Sequence, residues 1–355
     1  MHDFREHGVI SRQPLHQMNH VPQTLLGVSA CDLWRLIPGP TLFHVPGRKK
    51  KPLFASVLLH GNENTGWLAF QRVLKNFDGK SLPRSLLLFV ANIDAAKANV
   101  RTLPHQADYN RSWPGTNDEA TAEAKLMRQV FDVVRQQEPF ASIDIHNNTG
   151  RNPHYACVNR LDTDHLQLAR LFSRTVVYFD RPIGVQSAAM AKICPSVTVE
   201  CGLAGEAGGV EHAAEFIASA LNLDQIPERG NELFLDLELM RTFAILNIPA
   251  GASMSFDGSD ADFCFRHDLD KLNFSQIEPG SVLGTLGKSG RFRVEVIAEA
   301  SPDCSCSYLT YDEGTITLTR RATPAMLTRD MKAIRLDCLG YLMHRIGRDG
   351  IEIDT

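Results

Sequence analysis

The chain has 355 residues, of which 43% are hydrophobic and 22% are charged, and its net charge is −4 with a pI near 6.4. This balance is typical of a globular protein with an apolar core, long enough for two domains. No window approaches the roughly 18 apolar residues that span a bilayer, and the basic run Arg48–Lys51 is interpreted as a solvated turn, so neither a membrane nor nucleic acid is expected as a partner.

The first half of the chain alternates strand-like and helix-like segments. Residues 53–59 and 85–91 are short apolar runs, typical of strands that are buried on both faces. Between them, a helix is predicted from apolar side chains that share one face: Trp67, Phe70, Leu74 and Phe77.

A second helix is predicted to begin at the capping box Thr116-Asn-Asp-Glu119 and to end near Glu138. Three more strands and another helix follow, at 141–145, 154–158, 196–199 and about 210–221. Strands that alternate with helices predict an α/β fold, with a central and mostly parallel sheet covered by helices on both faces.

The pattern changes near residue 230. Residues 291–296 and 315–319 alternate strictly between apolar and polar side chains, and Asp312-Glu-Gly314 is a turn signal. We therefore predict a catalytic domain at 1–228, with its core at about 50–225, and a smaller β-rich domain at 229–355.

Eight cysteines are scattered without the spacing of a zinc ribbon or a disulfide scaffold, and Cys304-Ser-Cys306 is the only close pair. The N-terminal sequence MHDFREHGVI lacks the apolar segment of a secretory signal. A cytoplasmic protein with free thiols is the simplest interpretation. The sequence leaves the oligomeric state open, a homo-oligomer included.

The first segment that carries chemistry is His60-Gly-Asn-Glu63, between a predicted strand and a predicted helix. Open α/β sheets bind ligands at such corners, and a histidine and a glutamate three residues apart can converge on one ion there. About one such pair is expected by chance in this chain, and His212-Ala-Ala-Glu215 supplies a second one. That copy lies inside an amphipathic helix and is interpreted as a solvated face.

The second segment, Asp144-Ile-His146, ends another predicted strand, where alternation puts both side chains on one side. Asp144 either hydrogen-bonds a ligand or caps the strand end. A lone histidine at a strand end is more often structural than a ligand. With His60 and Glu63, however, His146 completes the two-histidine, one-glutamate set of catalytic zinc, which leaves a fourth position for water.

Two further segments add charged groups. Glu200 closes an apolar strand, where a carboxylate is costly to bury without a task or a partner, and a salt-bridged strand end is the alternative. Asp108-Tyr-Asn110-Arg111 offers a guanidinium suited to a carboxylate, unless Arg111 only pairs with Asp108 to brace the loop.

In order, HGNENTG at 60–66, AN at 91–92, DYNR at 108–111, DIHNN at 144–148 and VECG at 199–202 resemble the succinylglutamate desuccinylase/aspartoacylase branch of the zinc metallocarboxypeptidase superfamily. The resemblance covers roughly residues 50–225. It implies a three-layer α/β/α catalytic domain that is followed by a small β domain.

The resemblance also implies roles for individual residues. His60, Glu63 and His146 match the zinc ligands, Glu200 matches the catalytic glutamate, and Asn110 and Arg111 match the pair that grips the substrate carboxylate. Arg101 is the candidate for the arginine that polarises the scissile carbonyl, although it lies slightly further upstream. Where aspartoacylases carry an arginine that reads the acyl-side carboxylate, residues 186–195 offer only Lys192.

These residues predict a hydrolase with one Zn²⁺ per chain that cleaves the amide bond of an N-acylated amino acid. Glu200 would move the proton of the attacking water, and zinc with Arg101 would face the developing oxyanion. A metallocarboxypeptidase that acts on short peptides would use the same residues in a more open groove. A non-catalytic zinc-binding module is the third interpretation.

Overall fold

The computed structural model describes residues 14–77, 80–227, 236–287, 290–298, 308–347 and 349–353. The chain divides into two compact units. The first comprises Met1–His146, Pro182–Ser196 and Ile217–Leu223, and the second comprises Asn147–Arg181, Val197–Phe216 and Asp224–Thr355. The expected domain boundary at 228/229, the N-terminal decapeptide and the Cys304/Cys306 pair lie outside the described residues. The division at 228/229 therefore stays a prediction.

The described residues contain β-strands throughout their length. In chain order they are β1 His16–Met18, β2 Thr41–Val45, β3 Gly47–Val57, β4 Leu82–Val90, β5 Ala141–Asn148, β6 Tyr155–Val158, β7 Thr175–Tyr178, β8 Ser196–Leu203, β9 Glu238–Asn247, β10 Met254–Ser255, β11 Phe263–Phe265, β12 Val282–Leu286, β13 Glu295–Ala298, β14 Leu309–Thr310, β15 Thr315–Leu318, β16 Thr323–Ala325 and β17 Gly340–Arg345.

Most of the α-helices precede β9. They are α1 Thr65–Asn76, α2 Ile93–Ala98, α3 Ala122–Gln136, α4 Thr163–Arg170, α5 Gln186–Met190, α6 Ala207–Asn222 and α7 Met331–Leu336. Short 3₁₀ segments cover Gln23–Gly27, Ala30–Arg35, Tyr109–Arg111, Leu269–Leu272 and Asp312–Gly314. Among the described helices, none is long and apolar enough to cross a membrane.

In the first unit the strand order is β1-β2-β4-β3-β5. β3 pairs in parallel with β4 and with β5, whereas β2 is antiparallel to β4. The apolar runs predicted at 53–59 and 85–91 lie in β3 and β4, and their side chains are buried on both faces. The basic run Arg48–Lys51 is not a turn. It opens β3, where the charged side chains alternate between half-buried and exposed positions.

Helices cover both faces of β3. Gly66 of α1 packs so closely on Val57 that an added Cβ would lie 2.7 Å from a valine methyl group. On the opposite face, Phe54 joins a buried cluster with Met127 and Val130 of α3. Residues 54 and 57 point to opposite faces because strand side chains alternate. The layered α/β arrangement predicted for this part of the chain is therefore confirmed.

The start of α3 differs from the prediction. The helix begins after Thr121, whose hydroxyl accepts a hydrogen bond from the backbone N–H of Ala124 at 3.1 Å. Thr116 instead accepts from Asp118 in the preceding turn, at 3.3 Å. Threonine at either position can cap a helix. The buried apolar face of α3 begins only at Ala124, and this favours a helix start at Thr121. The helix ends at Gln136, near the predicted Glu138.

In the second unit the strand order is β8-β6-β7-β9-β17-β16, with β13 also paired to β9. β7 pairs in parallel with β6 and with β9. β8 is antiparallel to β6, and β17 is antiparallel to β9. A second sheet has the order β10-β11-β12-β15-β14. The C-terminal region from β9 onward is thus rich in strands, as predicted, and most of its strand pairs are antiparallel.

Candidate metal centre

The turn between β3 and α1 carries His60 and Glu63. Leu58 adopts a left-handed backbone conformation (φ 57°) directly after β3, which redirects the chain before His60. Glu63 N–H then donates to the carbonyl of His60 at 3.1 Å, so the two side chains leave the same turn. α1 begins two residues later, at Thr65.

Gly61 fits this turn closely against the start of α2. An added Cβ would lie 2.1 Å from the backbone carbonyl carbon of Ala95, which no side chain could tolerate. The N–H of Gly61 also donates to the carbonyl of Arg101 at 3.1 Å. The turn is therefore fixed to the segment that carries Arg101.

The three predicted ligands meet in the first unit. His146 comes from β5, and one donor atom from each of His60, Glu63 and His146 lies within 4.8 Å of the other two. The Nδ1 atom of His60 is 2.8 Å from one carboxylate oxygen of Glu63, and the Nδ1 atom of His146 is 2.7 Å from the other. All three side chains are buried, at 3%, 7% and 4% exposure.

Each imidazole is also held on its far side. The Nε2 atom of His60 is 3.1 Å from Asp108, and the Nε2 atom of His146 is 2.8 Å from Asp144. Asp144 accepts a further bond from Ser56 of β3 at 2.6 Å. Of the two roles considered for Asp144, hydrogen bonding to a candidate ligand is the one observed. Such a carboxylate fixes the ring orientation of a metal-binding histidine and raises its basicity.

The donor set fits zinc. Two imidazole nitrogens and one carboxylate oxygen are the protein ligands of many catalytic zinc sites. Here the Nδ1 atoms of both histidines face the carboxylate of Glu63. The carboxylates behind the rings complete this arrangement.

The close charges determine the ionisation of these groups. Burial opposes the charged form of each imidazole, yet Asp144 and Glu63 raise the pKa of His146 well above its ordinary value. The pKa of His60 rises in the same way beside Glu63 and Asp108, against burial and the Arg101 charge. Burial would raise the pKa of Glu63, but the two imidazoles lower it instead. Divalent metal and protons thus compete for the same nitrogens.

Arg101 is linked to His60 by Asp108, which contacts both side chains. Its Nε and Nη2 atoms donate to one Asp108 oxygen at 3.1 and 2.9 Å, and the other oxygen faces His60. Burial favours the neutral acid, but Arg101 and His60 hold the pKa of Asp108 well below its ordinary value. The sequence did not assign Asp108 this role, although its place in the DYNR motif was a usable signal.

Asn110 and Arg111 lie in the 3₁₀ segment after Asp108. The Nδ2 atom of Asn110 is 3.1 Å from Nε2 of His146, and its Oδ1 atom accepts from the backbone N–H of Gln186 at 2.9 Å. Arg111 is half-buried and donates to the carbonyl of Asn110 at 2.9 Å.

Gln186 is a further positioning residue that sequence analysis missed. Besides holding Asn110, it donates from Nε2 to the hydroxyl of Ser142 at 2.8 Å, and it is fully buried. A single glutamine in the stretch VQSAAM carries no recognisable signal.

Glu200 lies in the second unit, on β8. It pairs with Tyr155 of β6 across an antiparallel ladder and is half-buried. Its carboxylate raises the pKa of the Cys157 thiol, after the larger effect of burial. Glu200 and Cys157 are therefore close enough for the carboxylate charge to act on the thiol.

The second H-x-x-E pair is not simply a solvated face. Glu215 is exposed, as predicted, but His212 is half-buried. The His212 ring stacks on His154 with a centroid distance of 4.9 Å, and its Nε2 atom lies 2.7 Å from the carbonyl of Phe172. The prediction for His212 was wrong because α6 packs that side of the pair inside the second unit.

Residues 53–222 match the family model described as the succinylglutamate desuccinylase/aspartoacylase catalytic domain. A search of curated proteins gives no match.

Solved structures with the same fold include two bacterial succinylglutamate desuccinylases and a mouse enzyme. The protein from Chromobacterium violaceum is 15% identical, with a TM-score of 0.54, and the match covers 84% of this chain and 86% of that one. The Vibrio parahaemolyticus protein is 13% identical, with a TM-score of 0.56, and the match covers 84% of this chain and 82% of that one. Murine aminoacylase 3 is 15% identical, with a TM-score of 0.51, and the match covers 85% of this chain and 97% of that one. At such identities the likeness shows the fold, and it confirms the predicted fold class.

Proposed function

Because residues 53–222 of the chain belong to the succinylglutamate desuccinylase/aspartoacylase catalytic-domain family, we propose that the protein is a zinc-dependent hydrolase that cleaves the amide bond of an N-acylated amino acid. One observation carries the proposal. The Nδ1 atoms of His60 and His146 converge on the carboxylate of Glu63, while Asp108 and Asp144 hold the far side of each ring.

In this proposal His60, Glu63 and His146 hold one Zn²⁺ per chain. The ion, when bound, supplies Lewis-acid chemistry, which acidifies water and polarises a carbonyl. The protein contributes the rigid placement of the ligands. That placement is supported by the left-handed Leu58 and by the close approach of Gly61 to Ala95.

The remaining groups bind substrate and move protons. Arg111, with Asn110, binds the free carboxylate on the amine side of the scissile amide, where a guanidinium forms bidentate bonds. Arg101 stabilises negative charge on the carbonyl oxygen. Its guanidinium is oriented by Asp108, which supports a fixed position for that charge.

Glu200 is assigned the proton transfers. It takes a proton from the attacking water as the new C–O bond forms, and it delivers that proton to the nitrogen as the C–N bond breaks. The products are a carboxylic acid and a free amino acid. Residues of the chain thus account for binding, charge stabilisation and proton transfer.

The proton transfer is tested with Glu200→Gln, with Glu215→Gln as the matched control on the exposed side of α6. Glu200→Gln should lower kcat by about 10²- to 10⁴-fold while zinc content stays near one per chain, because shape is kept and the base is lost. Glu215→Gln should behave like wild type. A near-normal kcat for Glu200→Gln would place the general base elsewhere.

The carboxylate assignment is tested with a matched pair of free-acid and amidated substrates. The free acid should be preferred by roughly 30- to 1,000-fold in kcat/KM, and Arg111→Ala should abolish the preference. Arg111→Lys should recover little, since a point charge does not reproduce the planar fork. Equal losses on both substrates would show that Arg111 only braces its loop.

Substrate panels separate the competing activities. Hydrolysis of acyl amino acids but not of short peptides supports a deacylase, and the reverse result supports a carboxypeptidase. Zinc binding without turnover of any amide would support a non-catalytic module.

A further inference from the structure

The second unit contains a cavity with a volume of about 410 Å³. Its walls come from β16, from β17, from the chain around residues 276–279 and 320–322, and from residues 352–353. All of these residues belong to the same unit. A concave site of this volume is large enough for a small molecule.

Both signs of charge face this cavity. Its charged lining consists of Glu278, Arg320, Arg321, Arg345 and Glu352, and we call it the bipolar cavity. Arg320 contacts Glu352 at 3.2 Å, and Arg345 contacts Glu238 of β9 at 2.8 Å. Arg321 contacts Glu278 at 3.1 Å. Because each guanidinium has its own carboxylate, a ligand with a net charge would bring that charge without a counterion.

The ion pairs leave hydrogen-bonding groups for a ligand. Arg320 donates to Glu352 through Nη2 alone, and Arg345 donates to Glu238 through Nη2 alone. The Nε and Nη1 groups of these two arginines make no hydrogen bond to the residues that the structure describes. Glu278 accepts one bond at each oxygen, whereas a carboxylate can accept about four. The bipolar cavity can therefore bind a carboxylate and an ammonium group at once.

One cation of the bipolar cavity is oriented in advance. The Arg320 guanidinium carbon lies 4.7 Å over the Phe243 ring, and the His344 ring stacks on Phe243 at a centroid distance of 5.3 Å. A side chain that is already held in place loses less entropy when a ligand binds.

Apolar side chains complete the wall, and they are Pro279, Ala322, Met343 and Ile353. Met343 is fully buried and Ile353 is about half exposed. Cations, carboxylates and an apolar patch thus line one small volume. These are the groups that complement an α-amino acid with an apolar side chain.

We propose that the bipolar cavity binds a free α-amino acid with an apolar side chain. Arg320 and Arg345 bind its carboxylate, and Glu278 and Glu352 bind its ammonium group. Its side chain contacts Met343. Binding here does not depend on the metal centre. An amino acid is also a product of the proposed hydrolysis, and a response of the enzyme to that product is the one consequence that rests on the proposed function.

The first test compares leucine with two analogues that each lack one charge. Isocaproate has no ammonium group, and isoamylamine has no carboxylate. In NMR titrations of the full-length protein, leucine should have a Kd about 10- to 100-fold lower than that of either analogue, because each analogue loses charge-assisted hydrogen bonds. Equal affinity for leucine and isocaproate would show a simple anion site and overturn the inference.

Two variants assign the charges. Glu278→Gln should reduce the advantage of leucine over isocaproate, and Arg345→Gln should reduce its advantage over isoamylamine. Both side chains are exposed, so the fold should be kept, and thermal unfolding checks this. Arg128→Gln is the matched control, because it breaks an exposed ion pair with Glu119 in the first unit and should leave leucine binding unchanged.

The outcomes separate this inference from the proposed function. The inference is overturned if wild-type protein does not bind leucine, or if Arg128→Gln weakens binding as much as Arg345→Gln. It is also overturned if Arg111→Ala abolishes leucine binding while Glu278→Gln and Arg345→Gln retain it, because leucine then binds as a product of the proposed reaction. Failure of the zinc-loaded protein to hydrolyse any acyl amino acid refutes the proposed function and leaves the leucine titrations to decide the inference.

Discussion

Asp144 gives the sharpest test of the support for the proposed metal centre. Its side chain is fully buried, accepts from Ser56 at 2.6 Å and lies 2.8 Å from Nε2 of His146. Asp144→Asn keeps the shape and the number of heavy atoms but removes the negative charge behind the ring. The ring then becomes less basic, and its orientation is less strongly fixed.

The expected loss of zinc affinity is about 10- to 100-fold, the range observed when a partner behind a metal-binding histidine is removed. This corresponds to about 1.4 to 2.7 kcal/mol of binding free energy. Ser56→Ala should cause a smaller loss in the same direction, because the charge of Asp144 remains.

The measurement is a competition titration between the protein and a zinc chelator of known affinity. Asp330→Asn is the matched control: it makes the same chemical change at the N-cap of α7, where asparagine caps as well as aspartate does. If Asp144→Asn binds zinc within twofold of wild type, the carboxylate does not support the ligand, and the assignment of His146 loses its main structural argument.

Three further predictions concern local structure. Thr121→Ala should lower the free energy of unfolding by about 1 kcal/mol, while Thr116→Ala should change the urea midpoint little, since only Thr121 caps α3. Asp162 caps α4; burial opposes its charge, but hydrogen bonds from His165 lower its pKa below the ordinary 3.8. Asp162→Ala should therefore lower the free energy of unfolding by about 1 kcal/mol at pH 7. This difference from wild type should shrink as the pH falls below 3.8 towards the folded-state pKa of Asp162. An equal loss of stability at pH 3 and pH 7 would contradict this. Gly61→Ala should reduce zinc content sharply in elemental analysis, and full occupancy would show that the turn can move.

The elements that could be predicted from the sequence are those with a simple periodic signal. β3 and β4 are continuous apolar runs, and α1 has a clear apolar face, so their positions followed from the pattern. β2, β7, α4 and α5 were not predicted. Each is eight residues or shorter, and a segment of that length gives a periodic pattern too few repeats to be distinguished from chance.

The site could be predicted in part for a similar reason. His60, Glu63 and His146 follow predicted strands, and strand ends are where such sheets bind ligands. Asp108 and Gln186 act on other side chains, and only the folded chain shows which ones: 48 residues separate Asp108 from His60, and 76 separate Gln186 from Asn110. The prediction of the α3 N-cap failed for a different reason. Thr116 and Thr121 are both suitable capping residues, and only the packing of the helix shows which of them is used.

The close fit of Gly61 against Ala95 has a consequence for protein engineering. The segment that carries His60 and Glu63 and the segment from Asn92 to Arg101 fit each other at backbone distance, through the Gly61–Ala95 approach and the bond from Gly61 N–H to Arg101 O. A loop transplanted from a relative into either segment alone would leave a mismatched backbone partner. Chimeras designed to change substrate preference should therefore exchange residues 58–66 and 91–101 together, as a single block.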